Sequence, residues 1–145
     1  MIVSINQPAY LPWLGYYDRI SASDVHVILD HVQFEKNSFT NRNRIKTNHG
    51  TTYLTIPVST KGNFQNLAIS NLQIVENQKW RKKHKESIRQ SYTKAPYFEE
   101  IYDQIAEFYT NDTNSFMSFI SMFNSFFLNY LNMLILAHLL KTFLF

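Results

Sequence analysis

Ile2-Val3-Ser4-Ile5, then Asn6-Gln7-Pro8-Ala9-Tyr10-Leu11-Pro12-Trp13, then Leu14 to Ala22, then Val25-His26-Val27-Ile28-Leu29: these four pieces decide the fold. The first is a short β-branched run and reads as a buried strand. Pro8, which cannot donate to a ladder, ends it. The second is a loop rich in proline and aromatics, the third a short helix, and the fourth a second strand closed by Asp30. The order β-α-β predicts an α/β domain with a small central sheet, Rossmann-like at the N-terminus, with helices following.

Downstream, Glu35 to Gly50 is polar and turn-rich and reads as a loop. Tyr53 to Val58 reads as a third strand, near an edge because of Pro57. Ser59 to Asn66 is a further loop with Gly62 as its turn residue, and Leu67 to Val75 is expected to hold a short strand. A helix is predicted from Asn77 to Tyr92, with Trp80, His84, Ile88 and Tyr92 on one face. Lys94-Ala95-Pro96 breaks it, since the residue before a proline avoids helical geometry. A second helix from Tyr97 to Tyr109 carries Phe98, Ile101, Ile105 and Phe108 as its stripe. Beyond Asp112 the charge vanishes until Lys141. Phe116, Phe119, Ile120, Phe123, Phe127, Tyr130, Leu131 and Leu134 keep helical spacing there. The expected organisation is a domain over 1–112 and an apolar helical tail over 113–145. Phe126 to Phe145 is roughly long enough to span a bilayer, although Asn129, Asn132 and His138 interrupt it.

The chain has 145 residues, a length that fits one domain with its own core. Apolar residues make up 45% and charged residues 17%, which excludes a disordered chain. Aromatics at 16% suggest aromatic-lined surfaces as well as a core. Cysteine is absent, which excludes a disulfide framework, a thiolate metal site and a cysteine nucleophile. Met1 to Pro8 lacks the basic start and long apolar core of a signal peptide, so a cytoplasmic location is expected. A net charge of +3 favours anionic ligands but is too small to indicate nucleic acid.

Four constellations carry candidate chemistry. The segment Asn6 to Asp18 sits at the carboxyl end of a strand, where open α/β sheets bind ligands. Gln7, Tyr10 and Trp13 are candidate substrate contacts, and Gly15 permits close approach. The plainer reading is a rigid loop that closes the sheet end. Asp30 and His31, followed by Gln33, should emerge near that loop if the strands are parallel. A carboxylate can orient an imidazole and raise its basicity, but Asp also ends strands and caps turns. Arg42 and Arg44 stand among amides and hydroxyls, and their guanidinium forks suit a phosphate. Lys79 to Lys85 is a basic helix face; a charge run of this kind is usually solvated, and the specific alternative turns His84 and Lys83 toward an anion. No metal-ligand spacing, Walker loop or G-x-S-x-G elbow is present, and no cofactor motif is legible.

These blocks carry a resemblance. Ile5 to Tyr16 resembles the opening signature of the WbqC-like family, and Asp30-His31-Val32-Gln33-Phe34 with Arg42-Asn43-Arg44-Ile45 resembles its second block. Leu54 to Val58, Trp80 to His84 with Ser91-Tyr92, and Ala95 to Phe98 resemble later blocks. The likeness runs from Met1 to about Tyr109, in order. It implies a role in surface-polysaccharide biosynthesis of the O-antigen or lipopolysaccharide type, beside enzymes of nucleotide-linked amino sugars. The N-terminal layout is also similar to nucleotidylyltransferase-type folds, which place two histidines around a glycine. Here Trp13 and Tyr16 flank Gly15 instead. Family members are longer, so the charge-free tail reads as the product of a frameshift or truncation.

The leading expectation is a transferase acting on a nucleotide-linked sugar or other anionic small molecule, with no nucleic acid as partner. Asp30, His31 and His84 are its acid–base candidates. The contacts to substrate fall to Gln7, Tyr10, Trp13, Gly15, Gln33, Arg42, Arg44 and Lys83. A non-catalytic assembly partner touching membrane through 115–145 is the second reading. A nucleic-acid-binding module using the basic run and the aromatics is the third.

Overall fold

The computed structural model describes residues 1–60, 67–75, 78–131 and 136–139, the last four and Gln78 by their backbone. Gly62, Asn77, Asn132 and Leu134, to which the sequence assigns roles in turns and helices, lie outside the described residues.

β1 (Val3–Asn6), α1 (Leu14–Ser21) and β2 (Val25–Ile28) form the expected crossover unit. β1 and β2 pair in parallel, with Ser4 beside His26 and Ile5 beside Val27. The Leu29 amide donates to the Asn6 carbonyl at 2.8 Å, so both strands end at one edge. α1 lies over the face that carries Ser4 and His26: Tyr16 meets the His26 ring edge-on, with centroids 5.8 Å apart.

The polar stretch expected as a loop contains a strand. β3 (Arg42–Thr47) pairs antiparallel with β4 (Gly50–Thr55). Arg42, Arg44 and Lys46 alternate toward solvent while Ile45 enters the core. A single inward apolar residue hides the alternation from a sequence reading. This hairpin forms its own two-stranded sheet, so the third strand does not extend the central one as expected. The strand also begins and ends earlier than expected. Ile56 instead donates its amide to the Asn41 carbonyl at 2.8 Å, and Val58 forms an isolated bridge with Ile74. The short strand expected in 67–75 is a 3-10 turn, Ile69–Asn71, with single bridges at Ala68, Gln73 and Ile74.

α2 (Gln78–Tyr92) and α3 (Phe98–Phe108) lie close to their predicted spans. α4 (Phe116–Tyr130) begins at a Ser115 cap, whose hydroxyl accepts from the Ser118 amide at 3.2 Å. The core draws on both sides of residue 112: Phe116, Phe119, Ile120 and Phe123 are buried with Leu54, Ile56, Trp80 and Ile105. Burying each such side chain stabilises the fold by about 1.5–3 kcal/mol. Leu131 caps α4. Further on, β5 (Leu136–Leu139) pairs in parallel with β2 and completes a sheet of order β1-β2-β5. No helix among the described residues is long and apolar enough to cross a membrane.

Candidate functional site

The loop after β1 is fixed at several points. The Tyr10 amide donates to the Thr40 carbonyl at 3.0 Å, and the Asn124 side chain donates to the Ala9 carbonyl at 3.3 Å. Leu11 stands at φ 46°, in the left-handed region that a leucine rarely adopts. The Asn43 side-chain amide holds it there by donating to the Leu11 carbonyl. A strained, braced residue of this kind is found where a loop must hold one shape.

Leu11 opens onto a cleft of about 600 Å³. Its walls are aromatic: Trp13, Tyr17, Tyr92, Tyr97, Tyr102 and Tyr130, from the loop, α1, α2, α3 and α4. Asn43 and Arg44 supply polar lining, and among the described residues no carboxylate residue lines it. Trp13 is 55% exposed. Its indole meets Tyr16 and Phe39 edge-on, with centroids 6.0 and 6.4 Å apart. It also lies over Gly15, where an added Cβ would come within 2.9 Å of its Nε1. Burial pushes the Tyr16 hydroxyl up to about 12, so Tyr16 is a neutral support for Trp13.

Arg42 and Arg44 share one support, the Tyr53 ring, at 4.7 and 5.6 Å from its centroid. Arg42 also donates to the Asn37 side-chain and backbone oxygens at 3.2 and 2.6 Å.

Tyr10 and His84 are brought together, but in the core. They are 0% and 3% exposed, and neither lines the cleft. The Tyr10 hydroxyl lies 3.0 Å from His84 Nδ1 and bonds the Tyr109 hydroxyl on its other side. Burial pushes the His84 pKa down to about 4, with Lys83 adding to the fall and a hydrogen bond to the Thr55 backbone opposing it. Burial also raises Tyr10 and Tyr109. All three are neutral near pH 7, and the arrangement satisfies buried polar atoms inside an aromatic cluster. Tyr10, expected as a substrate contact, and His84, expected as an acid–base group, thus sit in the core and outside the lining of the cleft.

Asp30 and His31 emerge at the carboxyl edge of the sheet, with Gln7 at the end of the neighbouring strand. No hydrogen bond or ion pair joins Asp30 to His31; His31 is exposed, and the Asp30 carbonyl accepts from Ser70 at 2.7 Å. Gln7 is exposed, and its carbonyl accepts from the Tyr16 hydroxyl at 3.4 Å. Gln33 bridges to Ala68 and lines a separate depression with Glu35 and Lys36. Lys83 is exposed on α2, away from the cleft lining. Of the expected contacts, Trp13 and Arg44 share the cleft, Gly15 lies beneath Trp13, and Arg42 joins Arg44 through Tyr53.

The cleft tyrosines and Tyr53 were not singled out as site residues by the sequence reading. The Ala95-Pro96-Tyr97-Phe98 break between helices was the available signal, since a turn with exposed aromatics stands between two buried stripes. Among the described residues, no group of three or more His, Cys, Asp or Glu could hold a metal ion.

The sequence matches the WbqC-like protein family over residues 7–142, which takes in the loop and the four helices that line the cleft. The chain belongs to the WbqC-like family. The match runs well past Tyr109, through the charge-free segment. The chain is also similar to a protein of Mycobacterium tuberculosis named "Uncharacterized protein Rv1507c", 36% identical over 116 residues. That alignment covers 80% of this chain and 49% of the relative, so this WbqC-like chain spans about half the length of the curated relative it matches. No solved structure matches it.

Proposed function

We propose that this WbqC-like protein acts in surface-polysaccharide biosynthesis, on a nucleotide-linked amino sugar, by group transfer. The observation that carries the reading is the aromatic cleft beside the β1–α1 loop, with Arg44 at its wall and no carboxylate among its described lining residues. Ligand sites of this class are concave, mostly apolar and furnished with a few placed polar groups. Aromatic faces suit a base or the apolar face of a sugar, and a guanidinium suits the phosphates. We read the parallel β1-α1-β2 unit as Rossmann-like, with ligand at the carboxyl edge. Family membership supports the pathway, because the resemblance to WbqC-like proteins implies surface-polysaccharide biosynthesis.

In this reading Trp13 stacks on the ligand, Arg44 and Arg42 meet its phosphates, and His31 and Asp30, at the carboxyl edge of the sheet outside the cleft lining, are the acid–base candidates. The test is a thermal-shift panel of nucleotide sugars on the purified chain. A ligand at 100 times its dissociation constant adds about 2.7 kcal/mol of stability. A panel without any shift would sink the proposal. Where a turnover assay follows, His31→Ala should lower the rate by about 10²–10⁴ with an unchanged melting temperature; wild-type turnover would reduce His31 to a bystander.

A further inference from the structure

Strand alternation puts Arg42, Arg44 and Lys46 on the outer face of β3, opposite Ile45. Across the hairpin they face Thr55, Tyr53 and Thr51, none of which carries charge. Successive same-face positions lie only about 7 Å apart along a strand, so three cations stand side by side. Among the described residues no carboxylate is ion-paired with them: the ion pairs there are Met1 with Asp24 and Arg89 with Glu86. Arg42 Nε is shielded from solvent and has no acceptor.

What holds these like charges together is Tyr53. It is directly opposite Arg44, diagonal to Arg42, and its ring lies under both guanidiniums. A ring face is negative, so each guanidinium is attracted to it and both are drawn toward one point. Asn37 then fixes Arg42 through two further hydrogen bonds. Preorganised forks lose little freedom on binding.

We propose that Tyr53 is the platform of a diphosphate clamp, in which Arg42 and Arg44 each take one of two adjacent phosphate groups and Lys46 lies beside them. Arg44 offers its fork and Arg42 the Nη hydrogens that Asn37 leaves over, and two linked phosphates offer one set of oxygens to each. Because Arg44 also lines the cleft, the clamp holds the diphosphate at its rim. The identification of that diphosphate with a nucleotide sugar rests on the function proposed above. Tyr53 is a positioning residue here; it acts through the two arginines.

The probe is inorganic pyrophosphate, titrated calorimetrically into the full chain at low salt. Tyr53→Leu should weaken binding about three- to tenfold, while Tyr53→Phe, which keeps the ring, stays near wild type. Arg42→Gln and Arg44→Gln should each weaken it at least as much. Melting temperatures without ligand should agree across the set. Pyrophosphate binding that Tyr53→Leu leaves unchanged, or no binding by the wild type, overturns the clamp. So does tight, steeply salt-dependent binding of a single-stranded oligonucleotide that pyrophosphate fails to displace. Pyrophosphate binding without any nucleotide-sugar binding would support the clamp and sink only the substrate reading. Nucleotide-sugar binding indifferent to Tyr53→Leu would do the reverse.

Discussion

Tyr10 and Trp13 are three places apart in one loop, yet one is sealed in the core and the other is 55% exposed. Around Tyr10 every ring has a packing partner, and its hydroxyl bonds both His84 and Tyr109. Around Trp13 the rings line an open cleft, beside a strained Leu11 and the exposed Arg44. The same residue types serve cohesion in one place and present a surface in the other. What separates them is burial: Tyr10 is closed in by rings on every side, whereas Trp13 keeps one face open to solvent.

The division is broken most forcefully from the core side. Phe123 is fully buried in α4, packed on Tyr10, Phe108, Tyr109 and Phe119. Phe123→Ala should cost about 3–5 kcal/mol by urea denaturation. Tyr97→Ala, at the exposed cleft rim, should stay within about 0.5 kcal/mol. Equal losses would mean that cleft and core are one packed unit.

Acid should also attack the core before the cleft. His84 has a folded pKa near 4, below the ordinary 6.5, so the native state favours the neutral ring. Between those values the unfolded chain binds more protons, and stability falls as pH falls. The contribution is fully present above about pH 6.5 and lost on approaching pH 4. At about 1.4 kcal/mol for each pH unit, the loss is on the order of 3 kcal/mol. His26 is depressed in the same sense, first by burial and then by Arg19. His84→Gln should therefore flatten the profile without abolishing its slope. A profile unchanged by that substitution would contradict the assignment of His84 to the core.

Much of this division is legible in the sequence, and the gaps have physical causes. The β-branched runs at 2–5 and 25–29 mark β1 and β2, and the Trp80, His84 and Ile88 spacing marks the buried face of α2. Tyr10 could not be told from Trp13, because a loop has no period to say which way an aromatic turns. β3 escaped because its outward residues are charged and only Ile45 is inward and apolar. The clamp escaped for a related reason: Arg44 and Tyr53 are neighbours only through hairpin register, which local spacing does not carry. The absence of charge after Asp112 hides a core contribution, since Phe116, Phe119, Ile120 and Phe123 pack into one cluster with residues of α2, α3 and the loop at Tyr10.

On the cleft side, Trp13→Ala should leave stability nearly unchanged and weaken a nucleotide-sugar ligand by about 1–3 kcal/mol, the range for losing one base–aromatic stack. That is at least fivefold in the dissociation constant. Unaltered binding would move the ligand away from the β1–α1 loop.

The smallest expected effect is the sharpest test of how that loop presents its indole. Gly15 lies in the first turn of α1, and an added Cβ would come within 2.9 Å of Trp13 Nε1. Alanine favours a helix over glycine by about 1 kcal/mol in an interior position. Against that stands the contact of the indole with Tyr16 and Phe39, which a displaced Trp13 would give up. The indole is exposed and free to swing outward, so the two effects should nearly cancel, leaving stability within about 0.5 kcal/mol of wild type. Trp13 would then no longer lie flat over the helix start, so its fluorescence should shift to the red and ligand binding should weaken along with it. If Gly15→Ala left both the emission and the affinity unchanged, the glycine would be an ordinary helix residue. The aromatic wall would then have to hold Trp13 by itself, through the edge contacts with Tyr16 and Phe39.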